Sequence, residues 1–230
     1  IGFVGIFNST HHGASGAYSL DIAKNDCIGF CFTHADSFAT PYNGLGKFHG
    51  TNPYSFSAPI DKNKNILVDF ASTSIPWNKV ITAKDRNQSL PTNVALDKFG
   101  KITTNAKNAN SLLPLGGDLF GHKGFGLASS IDIMCGPLLG IAHSFELLPM
   151  MGPDFKTYRK LGHILMAINI NSITSKKKYY QNITNYIRNL KKQKTKKGKR
   201  ILYPGQKEYE EEKIRKIKGI PFDEKLFEAY

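Results

Sequence analysis

The chain has 230 residues, of which 40% are hydrophobic and 11% aromatic, enough for one large domain or two modest ones. No run of about 18 uncharged apolar residues occurs, and the first ten residues lack the features of a signal peptide, which predicts a soluble, cytoplasmic protein without membrane contact. The formal net charge is +13, but eleven Lys or Arg residues and no acid lie in residues 176–200. The rest of the chain is therefore close to neutral, and charge alone does not identify a nucleic-acid-binding protein.

The three cysteines provide no framework for disulfides or metal. Cys27, Cys31 and Cys135 form neither an even set nor a CxxC pair, and no second Cys or His pair has zinc spacing. We predict reduced, buried thiols and no metal site.

In chain order, the first third of the sequence predicts strand, helix, strand, loop, strand. Short apolar runs rich in β-forming residues predict buried strands at residues 26–34 and 65–72. Apolar residues at helical spacing predict a short helix over residues 16–26. The run 51–59 ends in proline and predicts at best an edge strand.

The remainder predicts a loop followed by helices and one strand. Residues 77–113 are polar and predict irregular structure with a turn at 97–100. An apolar run from residue 124 predicts a buried helix, because Asp132, two serines and Pro137 argue against a membrane span. A strand at 163–170, an amphipathic basic helix in 176–200, a charged helix ending at Gly219 and a short terminal helix follow.

The sequence FNSTHHGASGAY, residues 7–18, is the first candidate site. His11 or His12 could act as a general acid or base, since imidazole exchanges its proton near neutral pH. Residues 13–16 are small and could cradle an anion at the start of a helix. The alternative is a structural histidine in a turn, and the stretch alone leaves both open.

Glycine-rich segments elsewhere are weaker candidates. His122 and Lys123, between glycines just before the predicted long helix, could hold a phosphate or carboxylate. Neither a phosphate loop nor a GxGxxG that opens a helix occurs, so the Rossmann fingerprint is absent.

Taken together, nine blocks in order resemble the type-2 malate/L-lactate dehydrogenase family of NAD(P)-dependent oxidoreductases. They are NSTHHGASGAY, GTNPYSFSAP, VDFASTSIPWNKV, RNQSLPTNVALDKFGKITT, LLPLGG, HKGFGLASSIDIMCGPLLG, LGHILMAININ, YPGQKE and KGIPF. The resemblance covers nearly the whole chain. Within the family, residues 84–104 and the YPGQ segment are most similar to ureidoglycolate dehydrogenases.

The resemblance implies an α/β fold of a non-Rossmann, nicotinamide-binding type, with a mixed sheet and flanking helices. It implies hydride transfer between NAD or NADP and C2 of a 2-hydroxy or 2-oxo acid of the malate, lactate or ureidoglycolate type, by a homodimer. We accordingly divide the chain into a cofactor-binding α/β domain, residues 1–123, and a helix-rich part, residues 124–230, with one apolar strand and the basic segment.

The resemblance also implies roles for individual residues. His11 occupies the position of the catalytic histidine, and His12 a variable apolar position. Asn52 and Lys79 fall in blocks near the substrate, with turn-holding side chains as the alternative. The implied cofactor contacts are Thr33, His34, Ala35, Asp69, Phe70, Ala71, His122 and Lys123.

One departure from the family pattern leaves other functions open. Family members are about half as long again, and an N-terminal helical part with a Ser-His-Gly motif precedes the position of Ile1. We expect a fragment, or a protein that lacks this part. The alternatives to a dehydrogenase are an inactive homologue that retains nucleotide binding or a scaffold role, and a binder of nucleic acid or an anionic surface through residues 176–200. Nucleic acid is the weaker hypothesis, because the aromatic residues there fit a core-facing stripe.

Overall fold

The computed structural model describes residues 1–150 and 156–222. The strands in this part of the chain are β1 (Gly2–Ser9), β2 (Cys27–Thr33), β3 (Tyr54–Asp61), β4 (Lys64–Phe70), β5 (Ala95–Leu96), β6 (Ser111–Leu112) and β7 (Leu161–Asn169). The α-helices are α1 (Ser15–Ala23), α2 (Trp77–Asp85), α3 (Gly117–Cys135), α4 (Lys176–Lys191) and α5 (Gln206–Lys218).

A five-stranded sheet in the order β1-β7-β2-β3-β4 forms the centre of the described structure. Each pairing of neighbouring strands is antiparallel. β1 and β2, which α1 connects, run in the same direction, but β7 lies between them and pairs with both. The predicted α/β fold with flanking helices is confirmed, with the difference that the sheet is antiparallel rather than mixed.

The position of β3 differs from the prediction of an edge strand. β3 lies inside the sheet, between β2 and β4. Pro59 is tolerated there because β2 pairs only with residues 54–57 of β3, so the missing N–H of Pro59 faces no β2 residue. The β3–β4 register shifts immediately after Pro59.

Two helical predictions need correction. Residues 77–113 contain α2, which buries Val80 and Ala83, so this segment is not all loop. α3 begins at Gly117 rather than near residue 124. Glycines in its first turns lower intrinsic helix propensity, but Gly124 is required by packing, since a Cβ there would lie 2.3 Å from the Leu115 nitrogen.

The proposed division at residue 123 falls inside α3. β7, from the second part of the chain, lies between β1 and β2 in the sheet, and the other four strands come from the first part. The two sequence segments therefore share one sheet.

Apolar clusters attach the helices to the sheet. Phe32, Ile131, Cys135 and Ile164 join α3 to β2 and β7. The amphipathic helix predicted in the basic segment is confirmed as α4, whose apolar side chains pack on a cluster in β3 and β4. The α4 residues in this contact are Ile183, Ile187 and Leu190. The lysine side chains of the segment are exposed, so its charge faces solvent.

The cysteines and the chain end complete the comparison. All three cysteines are free thiols, and Cys31 and Cys135 are buried. Burial raises the pKa of Cys31 to about 11 and that of Cys135 to about 12, so both remain neutral thiols.

In the described ranges no helix has the length and hydropathy needed to cross a membrane. The predicted terminal helix falls on residues 223–230, outside the described part.

Candidate active site

A cavity of about 810 Å³ lies at one edge of the sheet. β1, β2 and β4 run in the same direction, so their C-terminal ends meet at this edge. The turn after β1, the residues after β2, the end of β4 and the first turn of α2 all line the cavity. Its volume is within the usual range for small-molecule sites.

Most of the site residues predicted from the sequence meet in this cavity. Those that line it are His11, Thr33, His34, Ala35, Asp69, Phe70, Ala71 and Lys79. Asn52, His122 and Lys123 do not line it.

His11 lies exposed in the turn between β1 and α1. The turn depends on Gly13, whose φ of +81° is in the left-handed region. The Gly13 N–H donates to His11 Nδ1 over 3.1 Å. Because a nitrogen that accepts a hydrogen bond carries no proton, this contact assigns the proton of the neutral ring to Nε2.

His12 has a different environment from His11. Its ring is half-buried and stacks on Tyr18 on one face and on His163 on the other. Burial, followed by the positive charge that His163 and His11 can carry, lowers the pKa of His12 to about 4. His12 is therefore neutral near pH 7. Both histidines line the cavity, but His12 is packed between two rings whereas His11 is exposed.

His34 presents little of its side chain to the cavity, since it is only 1% exposed. Its Nε2 accepts a hydrogen bond from the Gly162 N–H over 2.9 Å, and its Nδ1 lies 3.5 Å from Asp132 Oδ1. Burial raises the pKa of Asp132, but the contact with His34 and the hydrogen bonds from the Ser144 hydroxyl and N–H outweigh this effect and hold the pKa below its ordinary value. His34 thus fixes the end of β2 against β7 and α3.

Asp69, near the end of β4, contacts the start of α1 through its carboxylate. Its Oδ2 accepts the Gly16 N–H over 2.8 Å, and a Cβ at Gly16 would lie 2.7 Å from the same oxygen. Burial raises the pKa of Asp69, and the Gly16 hydrogen bond opposes this rise. The anion cradle predicted at residues 13–16 is therefore partly filled by a carboxylate of the chain itself.

The first turn of α2 also lines the cavity, and of its residues the sequence analysis singled out only Lys79. Pro76, Trp77, Asn78 and Lys79 all line the cavity. Trp77 stacks on Phe38 with ring centres 4.9 Å apart, which anchors the helix start. A helix N-terminus with a nearby ammonium favours an anionic group. The sequence does contain a signal for this helix: Pro76 precedes it, and the apolar residues Val80 and Ala83 follow at helical spacing.

Arg159 is a second cationic side chain that lines the cavity, but it already forms an ion pair with Asp36. The Arg159 guanidinium forms an ion pair with Asp36, and Arg159 Nε donates to the Leu148 carbonyl. Asp36 also accepts the Met150 N–H over 2.8 Å. Lys79, in contrast, forms no ion pair with a residue of the described ranges, so it is the better candidate for a substrate anion.

Three residues that the sequence predicted for the site lie outside the cavity lining. Asn52 is fully buried and bonds to the Ala35 N–H and the Ala128 carbonyl. His122 and Lys123 are exposed on α3, within the helix rather than in a loop before it. The His122 ring contacts Tyr42 edge-on, with the ring centres 5.6 Å apart.

Comparisons with known proteins assign a family to almost the whole chain. The profile of the family described as malate/L-lactate dehydrogenase matches residues 1–229. The malate/(S)-sulfolactate dehydrogenase of Methanothermus fervidus is 31% identical over 230 residues, which are 99% of this chain and 65% of the relative. The NAD(+)-dependent ureidoglycolate dehydrogenase of Escherichia coli O157:H7 is 30% identical over 229 residues, 99% of this chain and 64% of the relative.

Solved structures show the same fold. The crystal structure of malate dehydrogenase from Entamoeba histolytica superposes with a TM-score of 0.85 at 29% identity, over 93% of this chain and 62% of that chain. The chain thus spans slightly less than two thirds of the length of the relatives it matches.

Proposed function

Since the chain belongs to the malate/L-lactate dehydrogenase family, we propose that it catalyses NAD(P)-dependent hydride transfer to or from C2 of a 2-hydroxy or 2-oxo acid. The observation that carries the proposal is the meeting of His11, Lys79 and the ends of β2 and β4 in one cavity. These groups are distant in sequence, and together they provide a proton carrier, a cation and a surface for a cofactor.

The lining fits a nicotinamide dinucleotide in size and chemistry. Phe70, Ile75 and Trp77 offer apolar surface for planar rings, and the small residues Ala35 and Ala71 let the backbone approach a ligand. When bound, the nicotinamide ring supplies the hydride acceptor or donor. We assign dinucleotide contacts to residues 33–35 and 69–71, and the acid's carboxylate to Lys79. NAD and NADP are both compatible with this assignment.

His11 is the proton carrier in the proposed reaction. His11 would accept the proton of the substrate hydroxyl during oxidation of the acid and would return a proton to the C2 oxygen during reduction. In the observed conformation the His11 lone pair is on Nδ1 and accepts the Gly13 N–H. To accept the substrate proton, the exposed ring must therefore leave Gly13, which needs only side-chain rotation.

The test is His11→Asn in the full-length protein. We expect kcat to fall by on the order of 10² to 10⁴, because general acid–base catalysis contributes about this factor. The dissociation constants for NADH and NADPH, measured by calorimetry, should remain within about twofold, since affinity for the cofactor depends on other groups. His12→Phe is the matched control and should keep kcat, because phenylalanine can retain the stack.

Two results would contradict the proposal. One is full turnover in His11→Asn, which would make this histidine a turn residue. The other is the absence of binding heat with both NADH and NADPH in the unaltered protein.

We further propose that the protein acts in the cytoplasm as a homodimer. Three unpaired cysteines are typical of a reducing compartment. Phe48 and Phe145 stack on the surface with ring centres 5.7 Å apart, next to an apolar groove of about 500 Å³ that Ile133 also lines. Phe145 is 60% exposed and Ile133 59% exposed, and such a patch is typical of an interface.

A further inference from the structure

His163, which lies in β7, contacts the residue before and the residue after His11, the proposed catalytic histidine. It pairs with Ile6 of β1 and Thr33 of β2 in the sheet and is 3% exposed. The β1–β7 register shifts immediately after Ile6, so β1 leaves the regular ladder beside His163. β1 pairs with β7 once more at Ser9, opposite Leu161, and the turn that carries His11 follows directly.

The first contact is to the peptide that precedes His11. His163 Nε2 lies 3.0 Å from the Thr10 carbonyl, which can only accept, so Nε2 carries the ring proton. His163 Nδ1 lies 2.6 Å from the Thr33 hydroxyl, whose single proton is also within reach of the His34 and Gly162 carbonyls at 3.0 and 3.2 Å. In the neutral ring Nε2 donates to Thr10, while Nδ1 competes with these two carbonyls for the Thr33 proton. Burial lowers the pKa of His163, although the bond to Thr10 opposes this, and the neutral form is favoured.

The second contact is to the residue that follows His11. The His12 ring stacks on His163 with ring centres 4.6 Å apart and an angle of 21°. Tyr18 covers the other face of His12 at 5.3 Å and 19°, and its hydroxyl donates to the His12 carbonyl over 3.0 Å. His11 itself is exposed and bonds locally to Gly13. The place of His11 is consequently determined by its two neighbours rather than by its own side chain.

We propose that His163 is a positioning residue for His11, acting mainly through its hydrogen bond to the Thr10 carbonyl. The inference rests on the proposed function for its kinetic consequence. The hydrogen bond keeps the backbone before His11 attached to β7, and the His12 stack keeps the backbone after it close to the sheet. A catalytic ring displaced by about 1 Å can lose on the order of 10² in rate, so an anchor outside the cavity affects catalysis without touching substrate.

The experiment compares two substitutions at His163 in the full-length protein. His163→Phe keeps an aromatic ring beside His12 but removes the donor to Thr10. His163→Gln loses the stack but retains an N–H at about the position of Nε2. We expect His163→Phe to lower kcat by about 10- to 100-fold with KM for the acid and affinity for the dinucleotide within about twofold. His163→Gln should recover part of the lost kcat.

Amide hydrogen exchange provides a second measurement, which does not depend on catalysis. Amide hydrogen exchange of residues 11–13 should be at least about tenfold faster in His163→Phe, with exchange in β3 and β4 unchanged. Tyr18→Phe, which removes the bond to the His12 carbonyl, should show a smaller increase. Tyr186→Phe, a change at an exposed tyrosine of α4, is its matched control and should show none.

The outcomes separate the inference from the proposed function. If the unaltered protein oxidises no 2-hydroxy acid, the proposed function fails, while the exchange rates still decide whether His163 orders residues 11–13. Unchanged exchange in His163→Phe overturns the inference. It is also overturned if His163→Phe is at least as active as His163→Gln. A third contrary result is a fall in kcat of His163→Phe that is matched by equal losses of melting temperature and of affinity for the dinucleotide.

Discussion

Asn52→Leu distinguishes a structural from a substrate-binding role for Asn52, which the family resemblance places near the substrate. The Asn52 Oδ1 accepts the Ala35 N–H over 3.0 Å and the Ser144 hydroxyl over 3.3 Å, and Nδ2 donates to the Ala128 carbonyl over 3.1 Å. Leucine cannot replace these bonds. Ser144 retains a 2.9 Å bond to Asp132, and the Ala128 carbonyl, inside α3, can keep its helical partner. The main loss is therefore the partner of the part-buried Ala35 N–H.

The expected cost follows from these bonds. A buried donor left without a partner costs about 1–3 kcal/mol, and the part-buried Ala35 N–H is at the lower end of this range, about 1 kcal/mol. The Ala128 carbonyl, which loses its bond from Asn52, adds about 1 kcal/mol, so the unfolding free energy should fall by about 2 kcal/mol. The φ of +27° at Asn52 is unfavourable for leucine and acts in the same direction. The matched control is Asn43→Leu, at an exposed asparagine with φ +63°, which should cost no more than about 1 kcal/mol.

Urea denaturation measures the difference through the midpoint at constant m-value. Steady-state kinetics on the same variants provide KM for the acid and the dinucleotide. A structural Asn52 predicts lower stability with KM unchanged. If Asn52→Leu is as stable as Asn43→Leu, the reasoning from buried hydrogen bonds is wrong. A raised KM without destabilisation would instead establish a substrate contact.

Three further predictions concern pH, the basic segment and assembly. The pKa of His12 is about 4 in the folded chain against an ordinary 6.5, so below pH 6.5 the unfolded chain binds a proton that the folded chain does not. The unfolding free energy should therefore fall from pH 6.5 to 4, less steeply in His12→Phe, and equal slopes would contradict this. Because the basic segment is held by apolar contacts, a variant with five exposed lysines changed to glutamine should keep its melting temperature and its affinity for the dinucleotide. The changed residues are Lys191, Lys192, Lys194, Lys196 and Lys197. Loss of a salt-sensitive polynucleotide binding in this variant would refute the view of a solvated segment. Phe145→Glu should shift the sedimentation of the protein to that of a monomer, and an unchanged dimer would exclude this face.

The strands and helices that could be predicted from sequence have a strong local pattern. β2, β4 and β7 are short apolar runs, and α4 repeats its apolar residues at helical spacing. α2 has only two buried residues in nine, and the contact of Trp77 with Phe38 is distant in sequence, so the local pattern that marks this helix is weak and limited to Pro76 and the spacing of Val80 and Ala83. The insertion of β7 between β1 and β2 is likewise a long-range pairing that periodicity does not encode.

The position of a candidate site residue could be predicted where it depends on the end of a strand, and could not be predicted where it depends on burial; the roles of these residues stay predictions. His11, Thr33 and Asp69 follow or end strands that run in one direction, so their meeting at one edge follows from the sheet. Asn52 and His163 are polar residues whose partners are backbone groups far along the chain, at Ala128 and Thr10 respectively. A buried histidine in an apolar strand has the same sequence pattern whether it only packs or also orders a neighbouring turn. Only the direction of its hydrogen bonds separates the two, and at His163 the donor points at the peptide before His11.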